Sequence, residues 1–247
     1  MSRYYNICSS VLLHGLENYV LRHKCRRAII RPMNNEILKD LIQYLEGLQH
    51  INAEEIPSIS LYMDQVTAFM DEHLRNMKRH DEDKALTKTM INNYAKNKLL
   101  PPPVRKRYSR EHMLMLLFIY YYKGILSLTD IETILKPLNE KYFSGNDGAS
   151  HLQDIYEEVF SLEDAQMDKL IQDVKDKFAT AGETFQSGKA EELSPEDREE
   201  LQLFAFLCEL GFDVYLKRQL MEKIVDRLQA QERYQKQQAE TEKHKKK

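Results

Sequence analysis

Lys88, Thr89, Asn92, Asn93 and Lys96 are spaced so that, on a helix advancing about 100° per residue, they fall on one side. Ile91, Tyr94 and Ala95 fall on the other. The first side carries amides, a hydroxyl and ammonium groups, and no carboxylate. Asn forms paired hydrogen bonds with an adenine edge, and Lys reaches guanine or phosphate. The chemistry on offer is recognition of a nucleic acid rather than bond cleavage. Downstream, Arg105, Lys106 and Arg107 add three cations of the kind that hold phosphates. From Lys84 to Arg110 the chain has eight basic residues and no acidic one. A lysine-bearing helix face is in most proteins merely solvated, but such faces interleave opposite charges three or four residues apart. A run without that pairing repels itself, and a bound polyanion relieves the repulsion.

Other chemistry finds little footing. The eight histidines are scattered, and none pairs with a second His, a Cys or an Asp at a spacing that suits a metal. No Gly-rich phosphate loop is present. The three cysteines, Cys8, Cys25 and Cys208, form no CxxC pair, so neither a disulfide framework nor a zinc site is expected. No catalytic residue, metal or cofactor is assigned, and the protein is expected not to be an enzyme. Free thiols fit a reducing, cytoplasmic setting.

The elements that position these residues are helical. Of 247 residues only 8 are Gly and 7 are Pro, so turns are sparse between long periodic segments. The longest apolar run, Met113 to Tyr122, is ten residues. A bilayer span needs roughly 20, so that run reads as a buried helix and no membrane partner is expected. The net charge of −3 conceals an asymmetry: Leu152–Asp213 has five basic and 17 acidic residues, 5 − 17 = −12.

Residues 1–32 are basic and lack apolar periodicity, and read as an upstream extension before a native start at Met33 or as a basic arm. Met33 opens an amphipathic helix through Ile37, Leu41, Leu45 and Leu48. Met63, Val66, Met70, Leu74 and Met77 give a second helical stripe, with a loop at 78–84 after it. Thr87 is placed to cap a helix running to about Asn97. Pro101-Pro102-Pro103 forces an extended path. Ser109 caps the apolar helix, in which Phe118 and Tyr120–Tyr122 are expected to serve the core, and Ser127 caps another helix. Ser144–Gly148 is the densest turn signal and the expected boundary between an N-terminal domain, 33–143, and an acidic helical domain, 151–228. In the latter, Phe204, Phe206, Phe212 and Tyr215 are expected to be core. Ser194-Pro195 starts its last helix, and 229–247 is a polar tail, a fraying helix end or disordered.

Residues 89–102, TMINNYAKNKLLPP, are similar to the end of the recognition helix in the MerR family of bacterial transcription regulators. Tyr94 and Leu99-Leu100-Pro101 match its Tyr and its Leu-Leu-Pro. Tyr108-Ser109 and the segment from Gly124 to Leu135 resemble the family's segments downstream of its wing. More closely, Leu61–Val66 with Met90–Tyr94 resembles an uncharacterised bacterial family known only as a domain of unknown function with a MerR-like core. The resemblance covers about residues 60–138. It implies double-stranded DNA as the partner, and a homodimer is expected because one short helix reads few base pairs and symmetric half-sites multiply specificity. Three departures stand out, the first being that the family's long antiparallel dimerisation helix is not visible as heptads. Only Val104–Arg107 separates the prolines from Tyr108, so the wing is expected to be vestigial, a short basic arm. Lys98 stands where the family has Gly, and Asn97 is expected to take the left-handed conformation instead.

The sequence thus reads as an all-α protein, a helix-turn-helix with a vestigial wing and then a second helical domain, that binds DNA as a transcription regulator. Lys88, Thr89, Asn92, Asn93, Lys96, Arg105, Lys106 and Arg107 are the contact residues. The C-terminal domain would dimerise or bind a small-molecule or protein effector. The rival reading is a protein-interaction module that keeps the fold without DNA. N-terminal sequencing of natively expressed protein tests the extension: a first residue at Met33 supports it, and residues upstream decide for the arm.

Overall fold

The computed structural model describes residues 33–143 and 151–245. The reading of 1–32 and the turn residues Ser144–Gly148 lie outside that range. The described chain is essentially all-α, with one small two-stranded sheet. No described helix is long and apolar enough to cross a membrane. Helices are α1 Asn35–Glu46, α2 Met63–His73, α3 Lys88–Lys96, α4 Arg110–Tyr122, α5 Leu128–Pro137, α6 Leu152–Gly182 and α7 Pro195–Lys245. Strands β1 Leu61–Tyr62 and β2 Arg107–Tyr108 pair antiparallel, Leu61 opposite Tyr108 and Tyr62 opposite Arg107. β1 leads directly into α2, and β2 stands just before α4.

The chain divides into two compact units. Of the described residues, the larger holds those within 44–168 and 214–245, and the smaller holds 33–43 and 169–213. The larger is built around α4. Every residue from His112 to Phe118, and Ile119 beyond, is buried. A helix apolar on all sides must be enclosed. Val66, Met70 and Leu74 from α2, Ile91 and Tyr94 from α3, and Ile131 and Leu135 from α5 join the same core. So do Leu152, Tyr156 and Phe160 of α6, which lie beyond the turn-rich Ser144–Gly148. Tyr156 donates its hydroxyl to the Ile51 carbonyl at 2.6 Å, a long-range tie that its burial makes necessary. The core of this unit therefore runs across the expected boundary.

The aromatic cluster is core, as its apolar setting requires: Phe118 is buried, and Tyr120, Tyr121 and Tyr122 pack against it half-exposed. In the smaller unit Phe206 is buried edge-on to Phe178, with ring centroids 5.3 Å apart. The other three aromatics expected to be core are exposed: Phe204 and Phe212 at 49% and Tyr215 at 51%. Their apolar character does not oblige burial when no neighbouring element covers that side of a helix. α7 also continues as helix to Lys245, through the polar tail.

Caps form where the sequence places them. The Met90 N–H donates to Thr87 Oγ1 at 3.2 Å, and the Asp130 N–H to Ser127 Oγ at 3.2 Å. The end of α3 differs. Asn97 has φ −93°, and Lys98 itself takes the left-handed position at φ 59°. The Leu99 N–H donates to Tyr94 O (3.0 Å) and the Lys98 N–H to Ala95 O (3.3 Å), the paired bonds of a Schellman motif. The left-handed residue in that motif is the one after the cap, so the burden falls on Lys98. Burial of Leu99 against the core holds it there. Replacing Lys98 with Gly removes the Cβ penalty and is expected to raise stability by about 0.5–1 kcal/mol in thermal or denaturant unfolding; a destabilised Lys98→Gly would contradict this account of the turn.

Candidate nucleic-acid interface

Burying Ile91 and Tyr94 fixes how α3 is rotated. Its other side then faces solvent, and Lys88, Thr89, Asn92, Asn93 and Lys96 are all exposed. The side chains of Thr89, Asn92, Asn93 and Lys96 meet no protein partner among the described residues. Lys88 does: its ammonium pairs with Asp64 in the first turn of α2. Asn97 turns back to donate to Asn93 O at 2.8 Å, closing the helix end.

The absence of acids between 84 and 110 is therefore a property of the segment and not of the surface. Besides Lys88, Lys84 pairs with Asp71 of α2 at 2.9 Å, and Asp71 also binds Lys78 at 2.8 Å. The Arg110 guanidinium is spent on the Ala53 carbonyl. Of the eight cations of the run, Lys96, Lys98, Arg105, Lys106 and Arg107 have neither an ion-pair partner nor a backbone carbonyl among the described residues. Lys98 is exposed beside the row and was not among the expected contacts, although it belongs to the same basic run.

The connection from α2 to α3, Leu74–Thr87, is much longer than the three or four residues of a tight helix-turn-helix. Asp71 anchors it. Hydrogen bonds from Lys78, then Lys84, hold the Asp71 carboxyl well below the usual range, at about 2. Lys123 at the end of α4 ties the same connection from the other side, donating to Ala85 O at 2.6 Å while lying 4.6 Å over the Tyr120 ring. Burial lowers its pKa.

The expected vestigial arm is a tight turn closed by a single bridge, Val104 opposite Arg107. The Arg107 N–H donates to Val104 O at 3.0 Å, and Arg105 and Lys106 between them both have positive φ, 52° and 63°. Two consecutive left-handed residues form the type I′ turn, whose twist matches the strands it joins. Four residues suffice for a hairpin when both central residues accept that conformation. Asn and Gly adopt it readily; Arg and Lys do so at a cost. Both cations of the tip are exposed. Arg107 leaves the tip toward β1, where it donates to the Tyr62 hydroxyl at 3.0 Å and stacks 4.9 Å over its ring. Tyr62 and Asp64 thus position two of the expected contact residues, and both stand where β1 enters α2, well outside the basic run.

At the hairpin base Tyr108 and His112 are buried. The His112 ring lies edge-on to Tyr108 (5.4 Å) and to Phe143 (4.7 Å). Its Nδ1 accepts the Ser109 N–H at 3.0 Å, serving the start of α4 in the manner of a capping-box acid. Burial lowers its pKa, favouring the neutral ring that this bond requires. Among the described residues no group of three or more His, Cys, Asp or Glu is placed to hold a metal.

Residues 51–159 match the model of a domain of unknown function, DUF1836. That DUF1836 domain takes in β1, the α2–α3 pair, the hairpin, α4, α5 and the first turns of α6. Its end beyond Tyr156 agrees with the packing of that residue into the core. Among curated proteins and among solved structures nothing matches.

The Asp71 linkage has a definite sign. A carboxyl held low in the fold contributes stability above its ordinary pKa near 4, and that contribution is lost as pH falls toward about 2. Asp71→Asn is expected to cost about 1 kcal/mol at pH 7 and almost nothing at pH 2. Unfolding at the two pH values checks this, and an equal cost at both contradicts it.

Proposed function

We propose that the DUF1836 domain carries a MerR-like helix-turn-helix, about residues 60–138, that binds duplex DNA, and that the protein is a transcription regulator acting as a homodimer. The observation that carries this reading is the outer row of α3. Thr89, Asn92, Asn93 and Lys96 face solvent and have no protein partner among the described residues. Asn92 and Asn93 read base edges, Thr89 supports them, and Lys96, Arg105, Lys106 and Arg107 hold phosphates. Lys88 joins them only by leaving Asp64. The short turn supports the reading, since it presents two exposed cations side by side at its tip. A nine-residue helix reads few base pairs, so paired half-sites bound by two copies supply the specificity. α7 leaves Leu216, Leu220, Ile224 and Leu228 exposed, an apolar row that suits a second copy or a protein effector.

A second reading is a protein-interaction module that binds no DNA. The pairing of Lys84 and Lys88 with Asp71 and Asp64 favours it, because part of the charge available to a polyanion is already neutralised.

Salt separates the two. With about four phosphates neutralised, log affinity for duplex DNA falls against log salt with a slope of about −3.6. The Lys96→Glu, Arg105→Glu double variant is expected to flatten that slope and weaken binding at low salt. Absence of salt-dependent binding by the unmodified protein decides for the interaction module.

A further inference from the structure

Between the hairpin and the first turn of α4 lies an open cleft of about 620 Å³, lined among others by Tyr62, Arg105, Arg107, Glu111, His112 and Phe143. That volume falls within the range of small-molecule sites. The hairpin supplies two guanidiniums and α4 supplies one half-buried carboxylate. All three line the one cleft, and among the described residues no ion pair joins Glu111 to either arginine. Arg107 spends one of its five N–H groups on the Tyr62 hydroxyl and keeps the others. Tyr62 and Phe143 add aromatic surface. Arg105 sits on costly left-handed backbone, a feature that clusters at ligand clamps.

We propose that this cleft binds a small aromatic zwitterion of the aromatic amino-acid type. The ligand's carboxylate accepts from Arg105 and Arg107, its ammonium donates to Glu111, and its ring lies against Tyr62 and Phe143. An aromatic zwitterion satisfies all three features of the cleft at once: the cations, the separated anion and the ring surfaces. A free phosphate would leave Glu111 facing another anion. Binding as such is independent of the DNA reading. Its consequence rests on that reading: a carboxylate seated on Arg105 and Arg107 withdraws two phosphate contacts, so ligand and DNA compete.

Calorimetric titration of the full chain without DNA tests the site, using L-phenylalanine, 3-phenylpropionate, which lacks the ammonium, and phenethylamine, which lacks the carboxylate. L-Phenylalanine is expected to bind saturably at one site per chain, and each truncated probe about tenfold or more weaker. Glu111→Gln should bring L-phenylalanine down to the affinity of 3-phenylpropionate, and Arg107→Gln should abolish binding. Arg105→Gln, at the exposed tip, gives the same loss if Arg107→Gln fails to fold. No saturable heat with L-phenylalanine, or binding that Glu111→Gln and Arg105→Gln leave unchanged, overturns the proposal. Because the titration contains no DNA, its failure leaves the DNA reading standing, and loss of DNA binding leaves the titration unaffected.

Discussion

The enclosure of α4 governs the larger unit. Met113–Ile119 is apolar around its whole circumference and fully buried, so helices must surround it. α2, α3, α5 and the start of α6 each give up one face to that purpose. For α3 the consequence is direct. Ile91 and Tyr94 must point inward, and the residues between them must then point outward. The exposure of Thr89, Asn92, Asn93 and Lys96 results from hydrophobic burial, not from any force on the polar residues themselves. The same burial anchors Leu99 and Leu100 and so sets where the chain leaves the helix toward the hairpin.

Electrostatics then decides which cations are available. The acids that neutralise Lys84 and Lys88 come from α2, across the helix pair, and the acceptor for Arg110 is a backbone carbonyl. Lys78, whose side chain is only 7% exposed, makes the Asp71 cluster more than a surface ornament. These pairs brace the long Leu74–Thr87 connection, which has few apolar anchors beyond Leu74, Ala85 and Leu86. The charges left over concentrate at the end of α3 and on the hairpin tip, where conformational cost is also greatest: Lys98, Arg105 and Lys106 are all left-handed. Local geometry accounts for each: the Schellman motif places Lys98 there, and the type I′ turn places Arg105 and Lys106 there.

Local signals are legible in the residues and long-range ones are not. Thr87 and Ser127 cap where hydroxyl chemistry places them, and the inward faces of α3 and α4 come from apolar period. The all-α class comes from sparse Gly and Pro. The hairpin escapes a reading of the residues because no Gly or Asn marks its turn; two cations occupy positions that sequence rules reserve for permissive residues. Propensity gives Asn97 the left-handed role, whereas the Schellman geometry requires it one residue later. The charge balance of the basic run looks uncompensated in sequence because Asp64 and Asp71 are neighbours only in space. Likewise, Ser144–Gly148 has strong turn chemistry, but Tyr156 and Phe160 carry the core past it. The exposure of Phe204, Phe212 and Tyr215 depends on which elements lie nearby, which composition does not encode.

The central question is whether the outer face of α3 meets DNA. The side-chain amide resonances of Asn92 and Asn93 report on that face directly, and Asn→Asp variants assign them. On adding a random-sequence duplex at low salt, both amides are predicted to shift with the Lys96 and Arg105 signals and to return when salt is raised. If both stay in place while the duplex perturbs only signals from α7, or if nothing moves, the account is contradicted.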